Sequence, residues 1–138
     1  MKNSPESDRL LEEFRNTVQI EIERIGKKLD SVYFAEALKL IRECHEAGGR
    51  LHITGIGKPH HVANYMASLF SSIGTPCYML DGTEATHGSS GQVMPGDVVI
   101  CVSYYGNVPE LMKTIDTLKK EILWVNRRVQ ACWLPFIL

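Results

Sequence analysis

The sequence lacks several features that mark particular classes of protein. Its 138 residues carry 15 basic and 16 acidic side chains, so no basic excess is available to hold a nucleic-acid backbone. It contains no apolar run of about eighteen residues, the length that a membrane-spanning helix needs. The polar start, MKNSPESDRLLEEF, has no apolar core of a signal peptide. We therefore expect a cytoplasmic protein with no nucleic-acid partner and no membrane partner.

Cysteine is present, but not in arrangements that bind metal. None of Cys44, Cys77, Cys101 and Cys132 forms a C-x-x-C pair, and none has a histidine at zinc-ligand spacing. Isolated cysteines of this kind are typical of buried thiols in a reducing compartment. The pattern indicates structural cysteines and no zinc site.

Apolar residues at helical spacing predict two helices ahead of the first strand. Residues 4–5, Ser-Pro, are a typical start for the first helix. The second is predicted to be capped at residues 30–31 and to stop at the Gly-Gly pair 48–49. We assign residues 1–49 to an N-terminal helical pair that packs on the rest of the domain.

Short apolar runs alternate with helical patterns in the remainder of the chain. The predicted strands are RLHIT (50–54), CYML (77–80) and VVICVS (98–103). Because strands that alternate with helices form parallel sheets covered on both faces, we predict a three-layer α/β/α sandwich with a parallel sheet. Its core is assigned to 50–120. Residues 121–138 form an atypical tail in which ILWVN could be a fourth strand, and the last eight residues have no evident partner element.

The loops that follow the strands are the expected binding region, because ligands of open parallel sheets bind at the carboxyl ends of the strands. These loops are 54–60, 81–91 and 103–109. The first contains GIGKPHH, which is not a P-loop, since no Ser or Thr follows the lysine. It is a poor dinucleotide fingerprint, since His60 stands in place of the third glycine. A turn whose N–H groups and Lys58 hold a small sugar phosphate fits better, and a tight turn that merely needs glycine stays open.

Four separated stretches, TGIGK, SSIGTP, EATHG and GDVVICVSYYGNVPEL, together resemble the SIS (sugar isomerase) domain, most closely its arabinose-5-phosphate isomerase branch. Their order and spacing are kept to about residue 120. The resemblance implies a SIS-type fold, aldose–ketose isomerisation of a sugar phosphate, and no cofactor. In the family the reaction interconverts ribulose 5-phosphate and arabinose 5-phosphate.

The resemblance also implies site residues. Lys58 and Glu110 match catalytic positions, with Glu110 moving the proton and Lys58 stabilising the negative charge of the enediolate. His87 matches a residue that contacts a substrate hydroxyl or carbonyl. The substrate-binding positions implied in this way are Gly55, Gly57, Gly74, Thr75, Glu84, His87, Ser103 and Gly106.

Several positions depart from the family pattern. GKSG has become GKPH at 57–60, which removes a serine hydroxyl and a glycine. S-x-SG has become SYYG at 103–106, which replaces a phosphate-contacting hydroxyl with a phenol. Asp81 stands where relatives can carry a metal-binding histidine, so no metal is implied. His60 and His61 match non-catalytic positions.

The resemblance stops near Lys120, so the family's later strands and its later site glutamate and histidine have no counterpart. We expect a C-terminally truncated SIS domain with an incomplete sheet, and self-association into a homo-oligomer. Two functions remain open. Lys58 and Glu110 favour a sugar-phosphate isomerase, while the missing later residues favour a non-catalytic sugar-phosphate-binding SIS module.

Overall fold

The computed structural model describes residues 4–28, 31–123 and 131–133. Its elements in chain order are α1 (Pro5–Lys28), α2 (Ser31–Glu46), β1 (Leu51–Gly55), α3 (Lys58–Ser72), β2 (Cys77–Asp81), two short 3₁₀ helices (Glu84–His87 and Ser89–Gln92), β3 (Val98–Val102), α4 (Pro109–Leu123) and β4 (Ala131–Trp133). The described residues up to Phe34 form one compact unit and those from Ala35 onward form another. No helix in the described ranges is both long and apolar enough to cross a membrane.

Helix α1 begins where the sequence predicts. The Ser4 hydroxyl oxygen accepts the N–H of Ser7 at 3.2 Å, and Pro5 occupies the first turn, where its missing N–H costs nothing. The residues that give the helix its apolar pattern are largely exposed, among them Phe14 at 65% and Ile22 at 64%. The predicted cap at residue 30 lies outside the described residues.

The four strands form one parallel sheet in the order β2-β1-β3-β4. Strand β1 pairs along its whole length with both neighbours, Leu51 with Cys77 on one side and with Val98 on the other. All five of its residues are buried, as expected for a central parallel strand covered on both faces. The predicted parallel sheet is confirmed.

The fourth strand lies at Ala131–Trp133, where it pairs with β3 through Val99, Ile100 and Cys101. The prediction that it would be ILWVN is wrong for its first two residues, which belong to α4, and residues 124–126 lie outside the described ranges. The expectation that the last eight residues lack a partner element is wrong for 131–133. A strand of three residues is too short to show a repeating pattern of apolar residues, so β4 is recognised only by its pairing with the buried strand β3.

Two apolar clusters cover the two faces of the sheet, which confirms the three layers. The cluster beneath α2 and α3 includes Leu51, Ile53 and Ile100. The cluster beneath α4 and the 3₁₀ helices includes Leu80 and Val99. The sequence predicts a plain loop after β2. The structure instead forms two 3₁₀ helices, because Ala85 and Val93 from this segment are buried in the second cluster.

A buried carboxylate joins the starts of β1 and β3. Asp97, directly before β3, accepts the N–H of Arg50, directly before β1, at 2.7 Å and the N–H of Met94 at 2.9 Å. The Arg50 guanidinium lies 3.0 Å from its Oδ2, and His52 Nε2 lies at the same distance. Gly49 passes so close to the Gly96 carbonyl that a Cβ would overlap it. These contacts fix the register of the two strands at their amino ends.

The ionisation of this cluster follows from its surroundings. Burial by itself disfavours the charged carboxylate of Asp97, but the hydrogen bonds from Met94, Arg50 and His52 outweigh burial, and the net pKa is lowered from 3.8. Burial lowers the pKa of His52 from its ordinary 6.5, although Asp97 opposes this. The neutral His52 ring therefore donates its Nε2–H to Asp97. Its Nδ1 has no hydrogen-bond partner among the described residues.

We expect Asp97→Asn to lower the free energy of unfolding at pH 7 by about 2–4 kcal/mol, because charged acceptors hold their donors more strongly than neutral ones. Asp97 has a lowered pKa when folded, so its contribution is present above pH 3.8 and is lost as the pH falls through the folded value. Urea unfolding at pH 7 and at pH 3 measures both effects. The difference between wild type and variant should shrink at pH 3.

The matched control is Asp116→Asn, which removes an exposed carboxylate on α4 and should change stability by less than about 0.5 kcal/mol. Equal stabilities for wild type and Asp97→Asn at pH 7 would contradict the account.

Candidate functional site

A crevice opens at the carboxyl edge of the sheet between β1 and β3. After β1 the chain passes through α3 to β2 on one side, while β3 lies on the other side, so the connections diverge at this point. A cavity of about 260 Å³ lies here. Its lining residues come from the loops after β1 and β3 and from the start of α4: Ile56, Lys58, Pro59, Val102, Ser103, Tyr104, Tyr105, Val108 and Leu111. The volume suits a small ligand better than a dinucleotide.

The first wall of the cavity is the glycine turn after β1. A Cβ on Gly55 would lie 2.7 Å from the carbonyl of Pro59, so the turn can fold back on α3 only with glycine there. Gly57 has a φ of 68° and α3 starts at the next residue. Pro59 has no N–H, and the N–H of His60 already bonds to the Gly57 carbonyl at 3.0 Å. These two positions therefore offer no free backbone donor to a ligand, and the exposed ammonium of Lys58 supplies the positive charge.

The second wall is the turn after β3. Ser103 is buried, and its hydroxyl oxygen accepts the N–H of Gly106 at 3.0 Å. The Ser103 proton stays available to donate to a ligand. Gly106 has a φ of 74°, which closes the turn. At its tip the rings of Tyr104 and Tyr105 meet edge to face, with centroids 4.7 Å apart.

A second polar group lies at the end of β2. The Oδ1 atom of Asp81 accepts the N–H groups of Thr83 and Glu84 at 2.8 and 3.0 Å, and its Oδ2 lies 3.6 Å from His60 Nδ1. This carboxylate holds the first 3₁₀ helix and faces the first turn of α3. The family pattern gives His60 a non-catalytic position. The Asp-Gly-Thr sequence at 81–83, a typical turn former, is the one sequence feature that indicates the turn held by Asp81.

Metal and thiol chemistry find little support in the described part of the chain. No group of three or more His, Cys, Asp or Glu side chains there could hold a metal ion. Burial raises the pKa of Cys77 and of Cys101 to about 11, so both thiols stay protonated at neutral pH. Cys44 is also buried, and its thiol donates to the Arg50 carbonyl at 3.4 Å.

The structure brings some of the predicted site residues together. Lys58 and Ser103 line one cavity, and the backbones of Gly55, Gly57 and Gly106 shape its two turns. These are the groups that the edge rule for parallel sheets places side by side.

The other predicted residues lie apart from the cavity. Glu110 is exposed in the first turn of α4 and is not among the lining residues, although Leu111 is. Glu84 and His87 are exposed on the 3₁₀ helix after β2. Gly74 and Thr75 precede β2, at the opposite edge of the sheet, where the N–H of Thr75 bonds to the Phe70 carbonyl and ends α3. Roles for these residues stay predictions.

Comparison with known proteins finds a family model and curated relatives that this chain resembles. The family model described as "SIS domain" matches residues 43–121. The arabinose 5-phosphate isomerase KpsF of Escherichia coli is 34% identical over 98 residues, covering 71% of this chain and 30% of the relative. The arabinose 5-phosphate isomerase KdsD of Francisella tularensis is 35% identical over 105 residues, covering 75% and 32%. The chain thus spans about a third of the length of these curated relatives.

Solved structures share the fold. An Escherichia coli CFT073 protein in complex with A5P superimposes with a TM-score of 0.74 at 32% identity, covering 86% of this chain and 61% of that one. A Bacteroides fragilis protein superimposes with a TM-score of 0.75 at 25% identity, covering 87% and 62%. The family match spans more than half of the sequence, and the chain therefore belongs to the SIS domain family.

Proposed function

We propose that the cavity between β1 and β3 binds a sugar phosphate and serves an aldose–ketose isomerase that interconverts ribulose 5-phosphate and arabinose 5-phosphate. The observation that carries the proposal is the convergence of Lys58 and Ser103 in one small cavity at the point where the chain connections diverge. An ammonium and a free hydroxyl proton are suitable donors to a phosphate or an enediolate oxygen. The names of the relatives and the A5P complex of one structural neighbour support this choice of substrate.

The proposed reaction moves one proton between neighbouring carbons and a second proton between their oxygens. A base removes the proton from C2 of the aldose, whose carbonyl is at C1; the C2–H electrons form the C1=C2 double bond of the enediolate, and the electrons of the C1 carbonyl move to O1. The proton of the C2 hydroxyl passes to O1, the O2 electrons form the carbonyl at C2, and the double-bond electrons take the proton back from the base at C1. We assign the proton transfer to Glu110, the stabilisation of the enediolate charge to Lys58, and a hydroxyl or carbonyl contact to His87. Gly74, Thr75 and Glu84 are retained as proposed substrate contacts.

One observation favours a second function, a sugar-phosphate-binding SIS module without catalysis. Glu110 is exposed and lies outside the set of residues that line the cavity, so a ligand held there need not reach its carboxylate. Binding through Lys58 and Ser103 would persist in such a module, while isomerisation would not occur.

Self-association is part of the proposal. Exposed apolar side chains along α1, such as Leu10, Phe14 and Ile20, are costly to leave in water, which supports a homo-oligomer. We place this oligomer in the cytoplasm, because isolated cysteines are typical of a reducing compartment. We propose no nucleic-acid partner, because the chain has no basic excess. Light scattering after gel filtration should give a multiple of the 15.5 kDa chain mass, and a monomer at micromolar concentration would refute the oligomer.

Adding ribulose 5-phosphate distinguishes the two functions. For the isomerase we expect both formation of the aldose phosphate and a raised melting temperature. For the binding module we expect the raised melting temperature alone. A ligand at a hundred times its Kd stabilises the folded state by about 2.7 kcal/mol, which a thermal melt resolves readily. The absence of both responses would refute both functions. Ribulose without phosphate is the matched control ligand.

Two substitutions test the assigned roles. Glu110→Gln should lower kcat at least about 100-fold while ligand binding persists, because it removes the proton carrier and keeps the side-chain size. Lys58→Ala should weaken binding of arabinose 5-phosphate about tenfold or more, because it removes the positive charge from the cavity lining. Steady-state kinetics and titration calorimetry measure these effects. Glu36→Gln and Lys39→Ala, both at exposed positions of α2, are the controls. Wild-type kcat in Glu110→Gln would exclude it as the proton carrier.

A further inference from the structure

The tyrosine pair at the mouth of the cavity has no role in the proposed reaction. Tyr104 and Tyr105 are 48% and 75% exposed, an unusual state for two adjacent large rings. Their edge-to-face contact, with an interplanar angle of 88°, keeps one ring perpendicular to the other. Both side chains line the cavity. The turn closed by Ser103 and Gly106 carries both tyrosines on its tip, so the pair forms a preformed aromatic wall at the site.

The other residues that line the cavity determine which ligand can bind against the two tyrosines. Among the nine lining residues, Lys58 is the one with a charged side chain at neutral pH, and Ser103 adds one hydroxyl. The other lining side chains outside the tyrosine pair are apolar: Ile56, Pro59, Val102, Val108 and Leu111. The cavity therefore suits a ligand with one anionic group and a face of C–H bonds. Polarised C–H groups pack well against the electron-rich face of an aromatic ring.

The two sugars of the proposed reaction differ in whether they can close into a ring that presents a face of C–H bonds. In an aldopentose 5-phosphate the C4 hydroxyl can attack the C1 carbonyl, which closes a five-membered ring with a C–H face. In a 2-ketopentose 5-phosphate the corresponding ring would need the C5 hydroxyl, which is esterified, so the sugar stays open. An open chain has many rotatable bonds and presents no rigid face to the tyrosines.

Resting on the proposed function, we propose that Tyr104 and Tyr105 are specificity-determining residues that stack the closed ring of an aldopentose phosphate, while Ser103 donates to its phosphate and Lys58 faces the oxygens at C1 and C2. The site then favours ring-form sugar phosphates over open-chain ones.

The test compares arabinose 5-phosphate with arabinitol 5-phosphate, the polyol that cannot close. Calorimetry in the Glu110→Gln background prevents turnover during the titration. We expect the ring sugar to bind about three- to tenfold more tightly, the range that one aromatic contact contributes. The double variant Tyr104→Leu/Tyr105→Leu should abolish this preference, because it keeps apolar bulk without π-faces. The matched double variant Tyr104→Phe/Tyr105→Phe should retain it.

Three results would overturn the proposal that the tyrosines determine specificity. The first is an equal affinity of the unchanged tyrosine pair for both ligands. The others are a preference that persists in the double leucine variant and a preference that is lost in the double phenylalanine variant. In each case binding of arabinose 5-phosphate would leave the proposed function standing. Failure of both ligands to bind at millimolar concentration would overturn both proposals. Circular dichroism checks folding, and the single variant Tyr105→Leu, at the more exposed position, replaces the double leucine variant if that one does not fold.

Discussion

The carboxylate of Asp97 is the interaction on which the arrangement of the site depends. It binds the backbone ahead of β1 and stands directly ahead of β3, so it sets how these two strands align at their amino ends. Because parallel strands of equal length keep that alignment, their carboxyl ends also lie side by side. The turns that carry Lys58 and Ser103 then meet across one cavity. The hydrogen bonds of Asp97 at the amino edge of the sheet thereby help to position Lys58 and Ser103 at its carboxyl edge.

Most of the fold could be predicted from the sequence, because its helices and strands have clear periods and clear ends. The strand beginning at Leu51 was predicted to within one residue at each end, since a short stretch that includes Leu51 and Ile53 lies between glycines 49 and 55. Two features could not be predicted. Strand β4 is three residues long and depends on β3 for its existence. The Asp97 network joins residues that are 45 and more positions apart, and a lone aspartate before a strand indicates only a turn.

The candidate site could be predicted in part, and the reason lies in the sheet. The rule that strand ends share an edge indicated the loops 54–60 and 103–109; Lys58 was then predicted as a cation for a phosphate in the first loop, and the family resemblance implied Ser103 in the second. This rule carries no information about how deep in the cavity a side chain lies. An acid in the first turn of a helix is favoured by the helix dipole alone, and that interpretation agrees with the exposed position of Glu110 outside the cavity. By the family pattern, Tyr105 stands at a position where relatives carry a phosphate-contacting hydroxyl. The structure shows a ring in contact with Tyr104 at the cavity mouth.

The central claim is that a sugar phosphate binds at the edge shared by β1 and β3. Titration of the ¹⁵N-labelled protein with arabinose 5-phosphate, followed by amide chemical shifts, tests it most directly. The account predicts that the largest shifts fall on residues 55–58 and 103–108, which surround the cavity, while amides at the amino edge near Asp97 stay unchanged. Shifts concentrated at the amino edge, or no shifts at millimolar ligand, would contradict the account.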